Sequence, residues 1–301
     1  MTYLFTHNDL DGVGCAVIAR LGIPQPLSIT YCSYGSVDHE ICDLLDKLTT
    51  PAEIYISDIS VKEETARRLD EYLDRSEGGS VRLFDHHPVK VSRPWMTVDT
   101  SPMECGTSLL AKALIPNPSP AVSAFVDAVC SFDTWRFEKG IRAFPERLNA
   151  LHDILGHHGF EELVLEALNA DEPFSIPYLF ELAVQNSFLE RERYFQAKEQ
   201  AMITTTFSGY RAGVVFAERD ISLLADTIFK DHPELDIVAV CYMPAGVSLR
   251  TRREDINLTE ICRIRGGGGG HRKAAAFLLE SGTVEKAVDI IFGEESRTDG
   301  R

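Results

Sequence analysis

The chain has 301 residues, 44% of them hydrophobic and 25% charged, with a formal net charge of −16. That length and balance suit a globular protein of two domains, each able to bury a core, and exclude fibrous or disordered chain. The acidic body argues against wrapping long nucleic acid, which relies on many Lys and Arg contacts to phosphate.

No apolar run approaches the roughly 18–20 residues that span a bilayer, so no membrane association is expected. The chain opens on Met1-Thr2-Tyr3-Leu4-Phe5 with no visible signal peptide. Seven cysteines (Cys15, Cys32, Cys42, Cys105, Cys130, Cys241, Cys262) are scattered without a C-x-x-C pair. The odd count and the scatter read as free, mostly buried thiols in a reducing compartment. The expectation is a soluble cytoplasmic protein.

Tyr3 to Thr6 is a short strand. It runs into the polar turn His7-Asn8-Asp9-Leu10-Asp11-Gly12 and then a helix from Gly14 to Leu21. A strand at Leu27–Cys32 precedes a helix with apolar positions Ile41, Leu44, Leu45 and Leu48 at spacings of three and four. The strand Glu53–Ser57 ends at Asp58, a charged surface helix covers 62–75, and Val81–Phe84 delivers Asp85-His86-His87. Strands alternating with helices indicate a parallel α/β sheet. Ligands of such sheets bind beyond the carboxyl ends of the strands, where His7, Asp9, Asp11, Asp58 and Asp85 to His87 all fall.

Residues 105–114 and 121–129 read as helices. Asp133-Thr134-Trp135 closes another apolar segment, and 141–180 is mainly helical. His157-His158 has no carboxylate strand end beside it and reads as a helix-terminal or loop feature. A long charged helix over 181–203 connects to the second half. There, strands are expected near 211–216, 236–242 and 247–252, with a short helix at 257–262. Five glycines, Gly266 to Gly270, then precede His271, a helical segment 273–279 and a last helix at 284–292.

Several carboxylates sharing one site repel each other unless cations neutralise them. A mixed carboxylate and imidazole set without thiolates suits Mn²⁺, Fe²⁺ or Zn²⁺ better than Ca²⁺. Two metals held roughly 3.5–4 Å apart by bridging carboxylates serve in-line displacement at phosphorus. Between residues 245 and 275 seven Lys or Arg face three acids, a local excess that suits a nucleotide's phosphates.

His7-x-Asp9-x-Asp11-Gly12, Asp58, Asp85-His86-His87 and Asp133-Thr134-Trp135 resemble, in order, the four motifs of the DHH phosphoesterase superfamily. The glycine run with His271 and Ala274 to Ala276 resembles the signature of the DHHA1 domain. The resemblance covers almost the whole chain and points to the oligoribonuclease (nanoRNase) and nucleotide phosphodiesterase branch.

The resemblance implies an α/β protein with a parallel-sheet DHH catalytic domain at 1–180 and a helical linker at 181–206. A smaller DHHA1 substrate-binding domain at 207–293 and a polar tail at 294–301 complete it, and the active site is expected in the cleft between the domains. Its implied metal ligands are His7, Asp9 and Asp58 for one ion, and Asp11, Asp58, His86 and Asp133 for the other. The two-residue gap between His7 and Asp9 is shorter than in other branches. His87 is expected to face the substrate phosphate, Asp85 to orient an imidazole, and Arg250, Arg252, Gly268, Gly269, Gly270 and His271 to bind substrate.

The implied cofactors are two divalent ions, Mn²⁺ first, with Mg²⁺, Co²⁺ or Fe²⁺ as alternatives. The implied activity is hydrolysis of short RNA or a linear dinucleotide such as pGpG to 5′-mononucleotides, in a monomer or homodimer. A cyclic nucleotide or cyclic dinucleotide phosphodiesterase, and a nucleotide sensor without catalysis, are the competing readings.

Overall fold

Leu4 and Phe5 are adjacent in sequence and both buried, yet they enter two different cores. Successive strand residues point to opposite faces, so this pair already requires a sheet covered on both sides. The computed structural model describes residues 1–279 except 25, 138–142, 208, 243–245 and 267. The chain divides into two units, Met1–Phe188 and Leu189–Arg301.

The first unit holds strands β1 (Thr2–His7), β2 (Leu27–Cys32), β3 (Glu53–Ser57), β4 (Ser80–Asp85) and β5 (Met96–Val98). They pair in the order β2-β1-β3-β4-β5, all parallel. One face carries α1 (Leu10–Gly22), α4 (Gly106–Leu114), α5 (Pro120–Asp133) and α6 (Phe144–Asn169) over Leu4, Tyr55 and Phe84. The other carries α2 (Val37–Lys47) and α3 (Glu63–Arg75) over Phe5, Ile54, Ile56, Val81 and Leu83. This is the expected parallel α/β sheet, with helices on both faces. Its strand order reverses direction between β1 and β3, which puts the ligand crevice at their carboxyl ends.

Helix α7 (Tyr178–Gln200) crosses the division, and β6 (Ile203–Phe207) follows it as a strand. The linker helix therefore stops near residue 200, since the β-branched run Ile203-Thr204-Thr205-Thr206 pairs with β7 (Tyr210–Phe216). The second unit adds α8 (Ile221–Asp231), β8 (Ile237–Tyr242), β9 (Gly246–Arg250), α9 (Leu258–Gly266), β10 (Gly269–His271) and β11 (Ala274–Leu278). Its mixed sheet runs β10-β11-β9-β8-β7-β6. The expected helix at 284–292 and the tail lie outside the described residues.

Two expectations need correction. The segment after the glycine run is a strand, not a helix: Ala274–Leu278 pairs antiparallel with β9 and with Gly269–His271. Alanine favours helix locally, but tertiary pairing overrides so weak a preference. A Cβ at Gly268 would lie 2.1 Å from the Ala276 carbonyl oxygen, and one at Gly270 2.6 Å from that of Ala274. These glycines let one backbone lie against another in a hairpin and do not open a helix. Nor are the cysteines all free. Cys105, at the start of α4, and Cys130, in α5, form a disulfide with their Cα atoms 5.3 Å apart. Sequence spacing shows nothing of it, because the partners meet only when the two helices pack.

Candidate metal centre at the carboxyl edge of the parallel sheet

The turn after β1 is shaped by Asp9, which caps α1 by accepting from the Gly12 N–H at 3.0 Å. Gly12 is required here. A Cβ would stand 1.9 Å from the His7 carbonyl oxygen. Asp11 follows in the first turn of α1, fully buried. Its two carboxylate oxygens accept from the N–H groups of Gly106 (2.6 Å) and Thr107 (2.8 Å) at the start of α4. A helix N-terminus thus holds one acid of the cluster in place.

Asp58 stands just beyond β3 with φ +59° and is 1% exposed. Its N–H donates to the Phe84 carbonyl at 2.9 Å, while both its carboxylate oxygens lack any hydrogen-bond partner. A buried charged group in that state is costly. Gly106 makes room for it, since a Cβ there would fall 2.4 Å from the Asp58 Cβ. Asp85 ends β4 and accepts from the His87 backbone N–H at 3.0 Å and lies 2.9 Å from His87 Nδ1. Asp133 is the last residue of α5.

The side chains converge. His7 Nδ1 lies 2.8 Å from Asp9 Oδ2 and 3.9 Å from Asp58 Oδ2. His86 Nε2 lies 3.4 Å from Asp58 Oδ1, 3.3 Å from Asp133 Oδ2 and 3.8 Å from Asp11 Oδ2. Asp58 therefore turns one oxygen toward each histidine. Three sets, His7/Asp9/Asp58, Asp58/His86/His87 and Asp11/His86/Asp133, each place their donor atoms within 4.8 Å of one another. The orphaned oxygens of Asp58 and the orphaned Nε2 of His86 are what a cation between them would satisfy, so the donor set fits divalent metal ions.

Without cations the electrostatics are strained. Burial, reinforced by the Asp11 and Asp9 carboxylates, pushes Asp58 well above the usual carboxylate range and Asp133 up to about 8. Burial also raises Asp9, but the hydrogen bond and charge of His7 outweigh it and hold that acid at about 2. Burial and the neighbouring His87 lower His86. For His87 burial pulls down, yet the hydrogen bond and charge of Asp85 raise it overall.

The seven residues expected at the sheet edge thus lie in one cluster, His7 included despite its short spacing to Asp9, and Asp133 joins them from the end of α5. Sequence reasoning missed Gly106 and Thr107. It also missed Tyr34, half exposed, whose ring centroid lies 5.2 Å from that of His7 and 6.2 Å from that of His87. Only its place just past β2 hints at this. In the second unit Arg250, Ala274 and His271 occupy one row across β9, β11 and β10. Arg250 donates to Ser222 Oγ at 2.8 Å, Arg252 is tied to Asp226 and to the Phe229 carbonyl, and His271 is exposed.

A parallel sheet with a carboxylate and imidazole cluster at its switch point is an arrangement suited to hold divalent metal ions. No family model matches the chain. It is 33% identical over 314 aligned positions to oligoribonuclease NrnB of Bacillus subtilis, covering 99% of this chain and 77% of that protein. The chain belongs to the DHH/DHHA1 phosphoesterase superfamily, in the family of that oligoribonuclease. The pGpG-specific phosphodiesterase PggH from Vibrio cholerae superposes with a TM-score of 0.56 at 13% identity, over 97% of each chain. Exonuclease RecJ bound to manganese superposes with a TM-score of 0.53 at 15% identity, over 96% of this chain and 88% of its own. At such identities these two likenesses are of fold. No helix of the described residues is long and apolar enough to cross a membrane.

Proposed function

We propose that the protein hydrolyses the phosphodiester bond of short RNAs and linear dinucleotides, releasing 5′-mononucleotides. The observation that carries this is Asp58, buried, unpartnered at both oxygens and turned toward His7 on one side and His86 on the other. A carboxylate so placed is suited to bridge two cations, with His7 and Asp9 completing one set and Asp11, His86 and Asp133 the other. Held there, divalent ions, Mn²⁺ first among them, would supply activation of water and neutralisation of charge at phosphorus.

The chain's own groups do the rest. The start of α4 fixes Asp11. Asp85 holds the His87 ring with Nδ1 engaged and keeps it inclined toward the protonated form, suited to meet a phosphate oxygen. Water adds to phosphorus, the P–O3′ bond breaks, and the leaving 3′ oxygen takes up a proton. Tyr34 offers an aromatic face on which a base can stack.

In the second unit, Arg250 and His271 share one face of the sheet. They stand about two strand spacings, roughly 10 Å, apart with only a methyl group between. We assign that row, with Arg252 and the Gly268–Gly270 backbone, to contacts with the substrate's phosphates.

The reading favours short substrates because the net charge of −16 repels each phosphate that stays outside the site. The test is a Mn²⁺-dependent hydrolysis panel of di- to decaribonucleotides, cyclic nucleotides and pyrophosphate. Turnover is expected to be greatest on the shortest linear RNAs and to fall with length. Equal rates on a dinucleotide and a long RNA at equal molarity, or preference for a cyclic nucleotide, overturn the reading.

A further inference from the structure

We infer that His157 is a positioning residue for the metal-binding turn, acting through the backbone carbonyl of Asn8; the inference rests on the two-metal reading of that turn. Asn8 lies between His7 and Asp9. Its carbonyl oxygen stands 3.0 Å from His157 Nε2. A carbonyl only accepts, so Nε2 carries the proton and donates. No motif residue makes that contact, and α6 contributes no donor to the cluster.

The ring of His157 is held from behind. It stacks on Tyr31 at 3.9 Å between centroids and 12° between planes. The Tyr31 hydroxyl donates to Glu161, and the same carboxylate takes the guanidinium of Arg20. Glu161 is 3% exposed, so α1, β2 and α6 meet at one buried acid. Burial and that acid raise the Tyr31 phenol, which keeps the hydroxyl a donor.

The chain is also bent to bring His157 there. Gly156, one residue earlier, interrupts α6 at φ +67° and ψ 175°. A Cβ at Gly156 would meet nothing within 4 Å, so the backbone conformation, not crowding, asks for glycine. His157 and His158 therefore stand at the start of the helix that resumes after Gly156, in keeping with the expected helix-terminal place. They sit just past a break within α6, and one of them reaches the first metal-binding turn.

The peptide plane between residues 8 and 9 sets how His7 and Asp9 face each other. Asn8 is exposed, and without His157 its carbonyl would turn to water. A ligand pair that must be ordered on binding gives up affinity compared with one already in place. Removing outer partners of metal ligands lowers metal affinity by about ten- to a hundredfold.

The experiment titrates chelator-stripped protein with MnCl₂ by calorimetry and records the melting curve of the metal-free state. His157→Leu is expected to weaken Mn²⁺ binding about tenfold, with the metal-free melting temperature within about 3 °C of wild type. His157→Gln, whose amide N–H has a similar reach, is expected to restore the affinity to within about threefold. If the leucine variant does not fold, His157→Ala takes its place beside His157→Gln. Wild-type affinity in the leucine or alanine variant overturns the positioning role, and so does an equal loss in the glutamine variant. A wild-type protein that takes up no Mn²⁺ overturns the metal reading itself, an outcome distinct from the other two.

Discussion

Asp85 and His87 form a closed two-point contact: one carboxylate oxygen accepts the backbone N–H at 3.0 Å and meets ring Nδ1 at 2.9 Å. Asp85 is 0% exposed, so its charge acts with little screening. Asp85→Asn should leave the loop folded but remove the charge that raises His87. Burial then meets less opposition, and the imidazole should titrate lower than in the wild type. The raised value also stabilises the native state below pH 6.5, an increment that fades as pH rises through the folded pKa. Histidine NMR of the metal-free protein across pH 5–9 checks both signs. An unmoved His87 resonance sinks the assignment.

The acids assigned to the metal centre should cost the empty protein stability. Asp133, near 8 when folded against 3.8 for the free side chain, binds more protons folded than unfolded across that window. Metal-free stability should therefore fall as pH rises from about 4 to about 8. Asp133→Asn should flatten the slope, as should saturating Mn²⁺. Asp58→Ala should cut kcat by about 10³ or more, the scale for losing charge stabilisation at a reacting centre. The same variant should leave metal-free stability unchanged or improved. Urea melts with and without chelator, beside single-turnover rates, decide it.

Gly106 is the tightest point between the two buried acids. Gly106→Ala would set a methyl 2.4 Å from the Asp58 Cβ and 3.1 Å from Asp11 Oδ2. The Asp58 Cα lies only 2.9 Å away, so the loop must shift. Loss of Mn²⁺ binding and a destabilisation of about 2 kcal/mol or more are expected. Normal Mn²⁺ affinity in the alanine variant, measured by calorimetry, would show that Asp11 and Asp58 do not share the ions.

His152 offers a separate acid-side signal. It is 6% exposed, neither ring nitrogen has a hydrogen-bond partner, and burial followed by His157 lowers it to about 4. The unfolded chain binds its proton near 6.5, so the native state loses stability as pH falls from there toward 4. His152→Leu should remove on the order of 2–3 kcal/mol of that pH-dependent loss. Denaturant midpoints at pH 7 and pH 4.5 for both proteins read the difference directly.

The first unit was legible because its chemistry sits at strand ends. A run such as Val81–Phe84 followed by Asp85-His86-His87 marks both the strand and the place where its ligands emerge. What stayed hidden depends on residues far apart in sequence. Gly106 and Thr107 sit in an unremarkable helix start and matter only because Asp11 faces them across the fold. The Cys105–Cys130 bond needs two packed helices. In the second unit, Ala274 to Ala276 invited a helix on intrinsic preference, and pairing with β9 and β10 decided otherwise.

The donors run from residue 7 to residue 133, because the strand order places the first, third and fourth strands side by side and α5 returns to meet them. No shorter contiguous fragment holds the full set. A chain emerging from the ribosome therefore carries a half-built acidic pocket until residue 133 has been made. Through that interval Asp11 and Asp58 lack His86 and Asp133, which complete the second donor set. On the two-ion reading, capture of the second ion would mark that β1, β3, β4 and α5 have come together, and metal retention would report that assembly more directly than helix content does.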